Sequence, residues 1–249
     1  MRILKFFTIF FTLLASTAFA DGITDMTAEE REVFREEVRA YLLENPEVII
    51  EAVQVLEQRD AQIEAANDLT LVQQYYKPLT EDGYSFVAGN PDGAITIIEF
   101  ADYRCGYCKR AHPQVQALLE ENDDVRLIIK EYPILGDDSV LAARAAMSIL
   151  MNQKDVYLEF SDLLMLHNGP VNDTTLARIA SEAGADIDLM TRHMGDDVVT
   201  AAIASNHALG RQMSISGTPT FIIGPEMIRG YLPLASMQQI VDSARAQLQ

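Results

Sequence analysis

The chain has 249 residues and a formal net charge of −18, from 37 acidic and 19 basic side chains. This acidic balance argues against nucleic acid and anionic membrane surfaces as partners, because both carry negative charge. With 49% hydrophobic residues and only two cysteines, the composition fits a folded protein and argues against a disulfide-stapled scaffold.

Residues 1–20 are predicted to be a cleaved secretory signal peptide. Arg2 and Lys5 give it a positive start, residues 3–14 are mostly apolar, and Ala18-Phe19-Ala20 fits the small-x-small cleavage rule. A membrane anchor is the alternative, but the apolar stretch is too short for a comfortable span and no later stretch reaches membrane length. We therefore expect an exported protein with no membrane span, whose net charge becomes −20 (−18 − 2) when both basic residues are removed.

Residues 27–77 are predicted to be helical and to form an oligomerisation arm. Thr27 and Glu30 form a capping box, and Asn45-Pro46 should end one helix and begin a second. Apolar residues recur at helical spacing on both helices: Val33, Phe34, Val38, Tyr41, Leu42, Ile49, Val53, Leu56 and Ile63. This stripe could pack on its own domain. Because an amphipathic extension ahead of a complete domain more often meets another subunit, we expect a homo-oligomer formed through residues 27–77.

The cysteine pair Cys105-Gly106-Tyr107-Cys108 lies between a predicted strand and a predicted helix. A linker at 80–83, a short strand at about 84–87 and a turn at 89–93 lead into a buried apolar strand at 94–100. A thiol at the N-terminus of the following helix would lie near free amides and a charge of roughly +0.5, which stabilise a thiolate. We therefore predict that Cys105 is a nucleophile and that Cys108, one turn further along, is the shielded thiol that resolves mixed disulfides.

Two structural roles for the cysteine pair are less well supported. A zinc site needs two further ligands, and His112, at i+7 from Cys105, would bring the number only to three. A structural disulfide across so short a loop would constrain the unfolded chain very little. Redox chemistry is therefore the favoured interpretation.

The remaining chain is predicted to complete an α/β fold. A strand at 125–132 would form a β-α-β unit with the strand before the cysteines, which implies a parallel pair. Helices are predicted at about 139–151, 155–166, 173–183 and 197–209 with a turn near 187–194, followed by strands at 219–223 and 227–231 and a closing helix at 234–248.

This order of elements resembles the thioredoxin fold, and the long helical insertion at about 137–210 resembles the DsbA family of exported thiol-disulfide oxidoreductases. The turn at 89–93, the cysteine run and Gly217-Thr218-Pro219-Thr220-Phe221 are similar to the branch that contains ScsC, the suppressor of copper sensitivity. The resemblance implies an α/β thioredoxin domain at 84–249, a helical extension at 21–83 and a periplasmic location.

The resemblance also implies roles for individual residues. Thr218-Pro219 matches the cis-proline loop that offers its backbone to the substrate, where Gly106 and Tyr107 would also make contact. Glu99 matches the buried acid that could take a proton from Cys108, and Lys130 matches the charge partner of that acid. Either charge could instead only mark the end of a strand.

The direction of the chemistry is inferred from the same resemblance. Gly106-Tyr107 is the dipeptide of the disulfide isomerase DsbC, and threonine before the proline is also typical of isomerases. We therefore expect an isomerase or reductase that acts on unfolded or misoxidised exported proteins and is reset by a membrane thiol reductant of the DsbD type. No cofactor is expected beyond the Cys105-Cys108 pair.

Three alternatives are open. The same cysteines could serve a dithiol oxidase of the DsbA type, or could hold Cu(I) in a copper-binding or copper-buffering protein. Met190, His193 and Met194 offer a second cluster for a metal, although core packing explains them more simply. The helical arm could also belong to a non-catalytic chaperone.

Overall fold

A computed structural model describes residues 26–248 of the chain, so the predicted signal peptide at 1–20 lies outside the described residues. The chain divides into two compact units, one ending at Arg59 and one beginning at Asp60. Within residues 26–248, no helix is both long enough and apolar enough to cross a membrane.

The second unit contains both helices and strands, as expected for an α/β protein. The elements in chain order are α1 (Ala28–Glu44), α2 (Glu47–Gln74), α3 (Tyr76–Thr80), β1 (Phe86–Gly89), β2 (Ile95–Ala101), α4 (Gly106–Glu121), β3 (Val125–Glu131), α5 (Asp137–Asn152), a 3-10 turn (Lys154–Val156), α6 (Tyr157–Leu166), α7 (Asp173–Glu182), α8 (Ile187–His193), α9 (Asp197–Gln212), β4 (Thr220–Ile223), β5 (Glu226–Arg229) and α10 (Leu234–Ala246).

The described part of the first unit, residues 26–59, is mostly helical and has no buried residue. The predicted capping box is confirmed, because Thr27 Oγ1 accepts from Glu30 N at 3.2 Å while Thr27 N donates to Glu30 Oε2 at 2.8 Å. Helix α1 has no buried residue, although Phe34, Val38 and Tyr41 are large apolar or aromatic side chains. The apolar stripe that the sequence predicts is therefore exposed to solvent within this unit.

A five-stranded sheet forms the centre of the second unit. Its strand order is β1-β3-β2-β4-β5, and only β2 and β3 run parallel, as predicted for the β-α-β unit joined by α4. Successive side chains of β2 point to opposite faces of the sheet. Ile97 packs with Val115 and Leu118 of α4, whereas Phe100 packs on the other face with Val72 and Leu79.

Residues 60–83, which we assigned to the extension, pack within the second unit. Val72 and Leu79 are buried against the sheet, and both carboxylate oxygens of Asp68 accept hydrogen bonds from the Arg229 guanidinium. The second unit therefore begins at Asp60, ahead of the boundary at residue 84 that the sequence suggested.

Two smaller differences from the sequence prediction have local causes. Strand β1 starts at Phe86 and not at Tyr84, because Asp82 Oδ1 accepts the backbone N–H groups of Tyr84 and Ser85 at 3.0 and 2.9 Å and holds them in a turn. The predicted turn near 187–194 is the helix α8, which Asp186 caps by accepting from Leu189 N at 2.9 Å. Its seven residues are too few to show a helical period.

Lys130 anchors the segment before β1 to the sheet. Its side chain is fully buried, its ammonium forms an ion pair with the Asp82 carboxylate, and it also donates to the carbonyl of Pro78 at 3.2 Å. Burial lowers the pKa of Lys130, and the hydrogen bond to Asp82 opposes that effect. A buried ammonium needs such a partner, because an unpaired charge inside a protein is strongly destabilising.

We predict that Asp82→Asn destabilises the protein by about 3–5 kcal/mol, because it leaves Lys130 charged and unpaired while an amide oxygen can still cap Tyr84 and Ser85. Urea unfolding measures this loss. The control is Asp242→Asn, which removes an exposed partner of Arg245 and should cost less than about 1 kcal/mol. Equal losses in the two variants would contradict a stabilising role for the buried pair.

Candidate active site around two cysteines

Cys105 and Cys108 lie at the start of α4, directly after the chain leaves β2. Cys105 is the N-cap residue of α4, and Cys108 lies in its first turn. Both thiols are free, with 7% of Cys105 and none of Cys108 exposed. The predicted placement of the pair at a helix N-terminus is therefore present in the structure.

The environment of Cys105 favours its thiolate. A hydrogen bond with the Cys108 side chain, helped by the backbone N–H groups of Cys108 and Tyr107, outweighs burial and lowers the pKa of Cys105 from 9.0 to about 5. A group with that pKa is almost entirely ionised at neutral pH. Because the thiolate is the nucleophilic form of cysteine, this environment supports the prediction that Cys105 is the nucleophile.

Cys108 has the opposite character. Its hydrogen bond with Cys105 raises its pKa, and burial and the charge of Glu99 raise it further. Cys108 therefore keeps its proton until another group accepts it. The pair consists of one charged sulfur near the surface and one protonated sulfur behind it.

The loop before β4 closes over Cys105. The Thr218-Pro219 peptide bond is cis, as the resemblance implied. Cys105 Sγ lies 3.0 Å from the carbonyl oxygen of Thr218, and only the protonated thiol can donate a hydrogen bond there. Gly106 and Tyr107 are exposed beside this contact, and nothing lies within 4 Å of the position where a Cβ of Gly106 would be. The four residues predicted to bind substrate thus border the exposed side of Cys105.

Glu99 lies on the α4 face of β2, beneath the cysteines. Only 6% of Glu99 is exposed. Burial raises the pKa of Glu99 to about 7, with His112 opposing this shift and Cys105 adding to it. A carboxyl with that pKa can take up and release a proton near neutral pH. The charge of Cys105 adds to the raised pKa of Glu99 and the charge of Glu99 adds to that of Cys108, which supports the prediction that this acid acts on the pair.

Lys130 is not at this site. In the parallel register Phe100 is paired with Lys130 and Glu99 with Ile129, so Lys130 points to the face opposite Glu99. There it pairs with Asp82. The expected partnership between Glu99 and Lys130 is therefore not formed.

The sequence interpretation missed Glu131, which lies on the same face as Glu99. Tyr103 and Tyr157 donate their hydroxyl groups to Glu131 Oε1 at 2.7 and 2.9 Å. Burial raises the pKa of Glu131 to about 7 despite these donors. Through Tyr103, Glu131 fixes the loop before Cys105. Alternation along β3 places residues 129 and 131 on one face, but only the pairing with β2 shows that this is the face of Glu99.

A cavity of about 310 Å³ lies behind the cysteines, bordered by Glu99, His112 and Asp162. His112 Nε2 is 3.2 Å from Asp162 Oδ1. Among residues 26–248, no group of three or more His, Cys, Asp and Glu side chains is placed to hold a metal ion. In the second cluster considered for copper, Met190 is buried in the core and His193 Nδ1 lies 2.7 Å from Asp196 Oδ2.

Comparison with known families covers most of the chain. The family model described as Thioredoxin matches residues 81–243. A second model, described as Copper resistance protein ScsC N-terminal domain, matches residues 30–62. Together they cover the domain that holds the cysteines and the first part of the predicted oligomerisation arm.

Solved structures and curated proteins give related matches. A thioredoxin-like oxidoreductase from Silicibacter pomeroyi DSS-3 is 39% identical with a TM-score of 0.65, over 68% of this chain and 97% of that one. Proteus mirabilis ScsC in a transitional conformation is 25% identical with a TM-score of 0.66, over 90% of this chain and 99% of that one. The Na(+)/H(+) antiporter NhaA 3 of Salinispora tropica is 28% identical over 160 residues, which are 64% of this chain and 24% of the antiporter. The chain thus spans about a quarter of the length of that relative.

The low pKa of Cys105 makes the stability of the reduced protein depend on pH. Because the folded-state pKa lies near 5 and the ordinary value is 9.0, the thiolate should stabilise the fold fully above about pH 9 and lose this contribution as the pH falls through 5. Urea unfolding of the reduced protein and of Cys105→Ser between pH 4 and 9 tests this. The stability difference between them should grow as the pH rises.

The serine variant serves as the control, since Glu99, Glu131 and the other buried acids are present in both proteins. A stability difference that stays constant from pH 5 to 9 would show that Cys105 has an ordinary pKa.

Proposed function

We propose, since this chain belongs to the thioredoxin family, that it is an exported thiol-disulfide oxidoreductase that works as an isomerase or reductase on protein disulfides. The observation that carries this proposal is the contrast between Cys105 and Cys108. Cys105, 7% exposed beside the cis-proline loop, favours the thiolate, and the fully buried Cys108 favours the thiol. This is the division of roles that thiol-disulfide exchange requires.

In the proposed reaction Cys105 attacks one sulfur of a substrate disulfide. A Cys105–substrate disulfide forms, the substrate S–S bond breaks, and the other substrate sulfur leaves as a thiolate. In isomerisation a second substrate thiolate displaces Cys105. In reduction Cys108 gives its proton to Glu99 and attacks Cys105, so that the pair is oxidised by two electrons and the substrate disulfide is reduced.

Isomerase or reductase is favoured over oxidase by the residues beside the nucleophile. Gly106-Tyr107 and Thr218 are those that the resemblance associates with isomerases, and both border Cys105. The oxidase alternative is supported by the Cys105 pKa of about 5, because stabilising the reduced pair makes its disulfide more oxidising. The redox state of the pair in cells distinguishes them: a reduced pair favours isomerase or reductase and an oxidised pair favours oxidase.

A copper-binding function is the candidate from a different class. It is supported by the match of residues 30–62 to a copper resistance domain and by the affinity of thiolates for Cu(I). Stoichiometric uptake of Cu(I) without turnover of disulfides would favour it over the enzyme.

The N-terminal unit is proposed to join copies of the chain into an oligomer. Phe34, Val38, Leu42, Leu43 and Ile49 border an apolar groove on α1 and the start of α2. Leaving such a groove in water is unfavourable, and an identical groove on a second copy could cover it. Several active sites around one substrate would suit an isomerase.

Location and partners are part of the same proposal. The predicted signal peptide at 1–20 supports export to the periplasm, where unfolded and misoxidised proteins would be the substrates. An isomerase must be returned to the reduced state there, for which we propose a membrane thiol reductant of the DsbD type.

We predict that Cys105→Ser lowers insulin reduction and the refolding of scrambled ribonuclease by about 100-fold or more, because it removes the nucleophile. Cys108→Ala should keep the attack but lose the resolving thiol, so it should accumulate mixed disulfides on non-reducing gels. The double variant controls for adducts that form at other sites. Full activity of Cys105→Ser, or no adducts with Cys108→Ala, would contradict the assigned roles.

We also predict that deletion of residues 21–59 gives a monomer in light scattering and weakens isomerisation more than simple reduction. The deletion ends at Arg59 because residues 60–83 pack with the second unit.

In the full-length chain, Val38→Asp should also dissociate the oligomer, since it places a charge in the apolar groove. Ala40→Asp, on the same helix but outside the groove, is the matched control. If the deletion variant and Val38→Asp both kept the number of subunits of the wild-type protein in light scattering, the proposed role of the arm in oligomerisation would be wrong.

A further inference from the structure

The proposed reaction leaves a proton on a buried carboxyl group. When Cys108 resolves the mixed disulfide, Glu99 takes its proton, and it must release that proton before the next resolution. Only 6% of Glu99 is exposed, so direct exchange with bulk water is restricted. Lys130, the partner expected from the sequence, lies on the other face of the sheet and cannot assist.

His112 is a second titratable side chain that borders the same 310 Å³ cavity as Glu99. It lies on α4 at i+4 from Cys108, which puts it one turn below that thiol on the same side of the helix. Its charge is the leading interaction that lowers the pKa of Glu99. An imidazole can accept a proton on one nitrogen and release one from the other.

Asp162 of α6 is the polar side chain next to His112 on the side toward solvent. His112 Nε2 is 3.2 Å from Asp162 Oδ1 but is buried without a hydrogen bond. Gln116 Nε2 donates to Asp162 Oδ2 at 3.1 Å and so fixes the carboxylate. The side chains of His112 and Asp162 are 15% and 25% exposed. Exposure therefore increases stepwise from Glu99 through His112 to Asp162.

We propose that His112 relays the proton of Glu99 to solvent past Asp162, and returns it when the cysteine pair is reduced. The inference rests on the proposed thiol-disulfide function. In resolution the Cys108 S–H bond breaks, its proton moves to the Glu99 carboxylate, and the Cys108 thiolate forms a bond to Cys105 while the substrate sulfur leaves with the electron pair. The proton then moves from Glu99 to His112 and from His112 to water. His112 acts through Glu99 and touches neither sulfur, so it is a positioning residue.

Several titratable groups on the neighbouring strands, loop and helices lie around Glu99 and His112. They are Glu99 on β2, Tyr103 in the loop after β2, Glu131 on β3, Asp162 on α6, and Lys109 and Glu120 on α4. Glu131 is held by two tyrosine hydroxyls, and Lys109 donates to the carbonyl groups of Met165 and His167. Asp162 is thus the acidic side chain placed beside His112 on the route to solvent.

The test uses stopped-flow kinetics of the full-length protein to follow the two chemical steps of the reaction separately. Formation of the mixed disulfide with a model peptide disulfide is followed first, and its release through Cys108 second, from pH 5.5 to 8. His112→Gln keeps a polar side chain of similar size but cannot relay a proton. We expect release to slow by about 10-fold and formation to change by less than about twofold. The effect on release is smaller than the roughly 10²–10⁴-fold of direct acid–base catalysis, because His112 acts through Glu99.

The pH profile adds a readout that a purely structural role would not change. Because His112 lowers the pKa of Glu99, its removal should move the midpoint of the release profile to higher pH.

In His112→Ala, free imidazole should restore release as its concentration increases. Asp162→Asn should slow release without affecting formation. His193→Gln is the matched control, since it removes a histidine from another histidine–aspartate pair, on α8.

The outcomes are distinct. Selective slowing of release with rescue by imidazole supports the relay. Equal slowing of both steps, an unchanged pH profile, or no effect of imidazole on His112→Ala would overturn it. If the wild-type protein forms no mixed disulfide, the proposed function fails first and the relay fails with it. Circular dichroism of each variant confirms that the fold is retained.

Discussion

The hydrogen bond between the two cysteine sulfurs is the interaction on which the site depends. It lowers the pKa of Cys105 and raises that of Cys108, so that two identical side chains acquire different chemistry. This bond exists because β2 delivers the chain directly to the N-terminus of α4, where backbone N–H groups are still unpaired. Thr218, beside the cis-proline, completes the surroundings of the charged sulfur.

The sheet separates two buried acids on the side of α4 from the ion pair that secures the segment before β1. On the α4 face, Glu99 and Glu131 are buried acids whose pKa values are raised to about 7. On the opposite face, Lys130 and Asp82 form an ion pair that secures the segment before β1. One residue of displacement along β3 changes the face, and therefore decides whether a charge acts on the cysteines or on stability.

The parts of this structure that local sequence determines were predictable. The capping box at Thr27, the parallel strands and the cysteines at a helix start follow from residue type and spacing. The face on which Lys130 lies depends on strand register, which no local pattern of β3 specifies. Likewise, Asp60 begins the second unit because of long-range contacts such as that between Asp68 and Arg229. Glu131 was overlooked because its partners come from distant segments.

The rate at which Cys105 reacts with iodoacetamide, measured from pH 4 to 9 in the reduced protein, is the most direct test of the thiolate. Cys108 is fully buried and protonated, so the reaction should report on Cys105 alone. The rate should rise with a midpoint near pH 5 and stay constant above about pH 6.5. A rate that keeps rising with a midpoint near 8.5, as for a free cysteine, would contradict a stabilised thiolate at the start of α4.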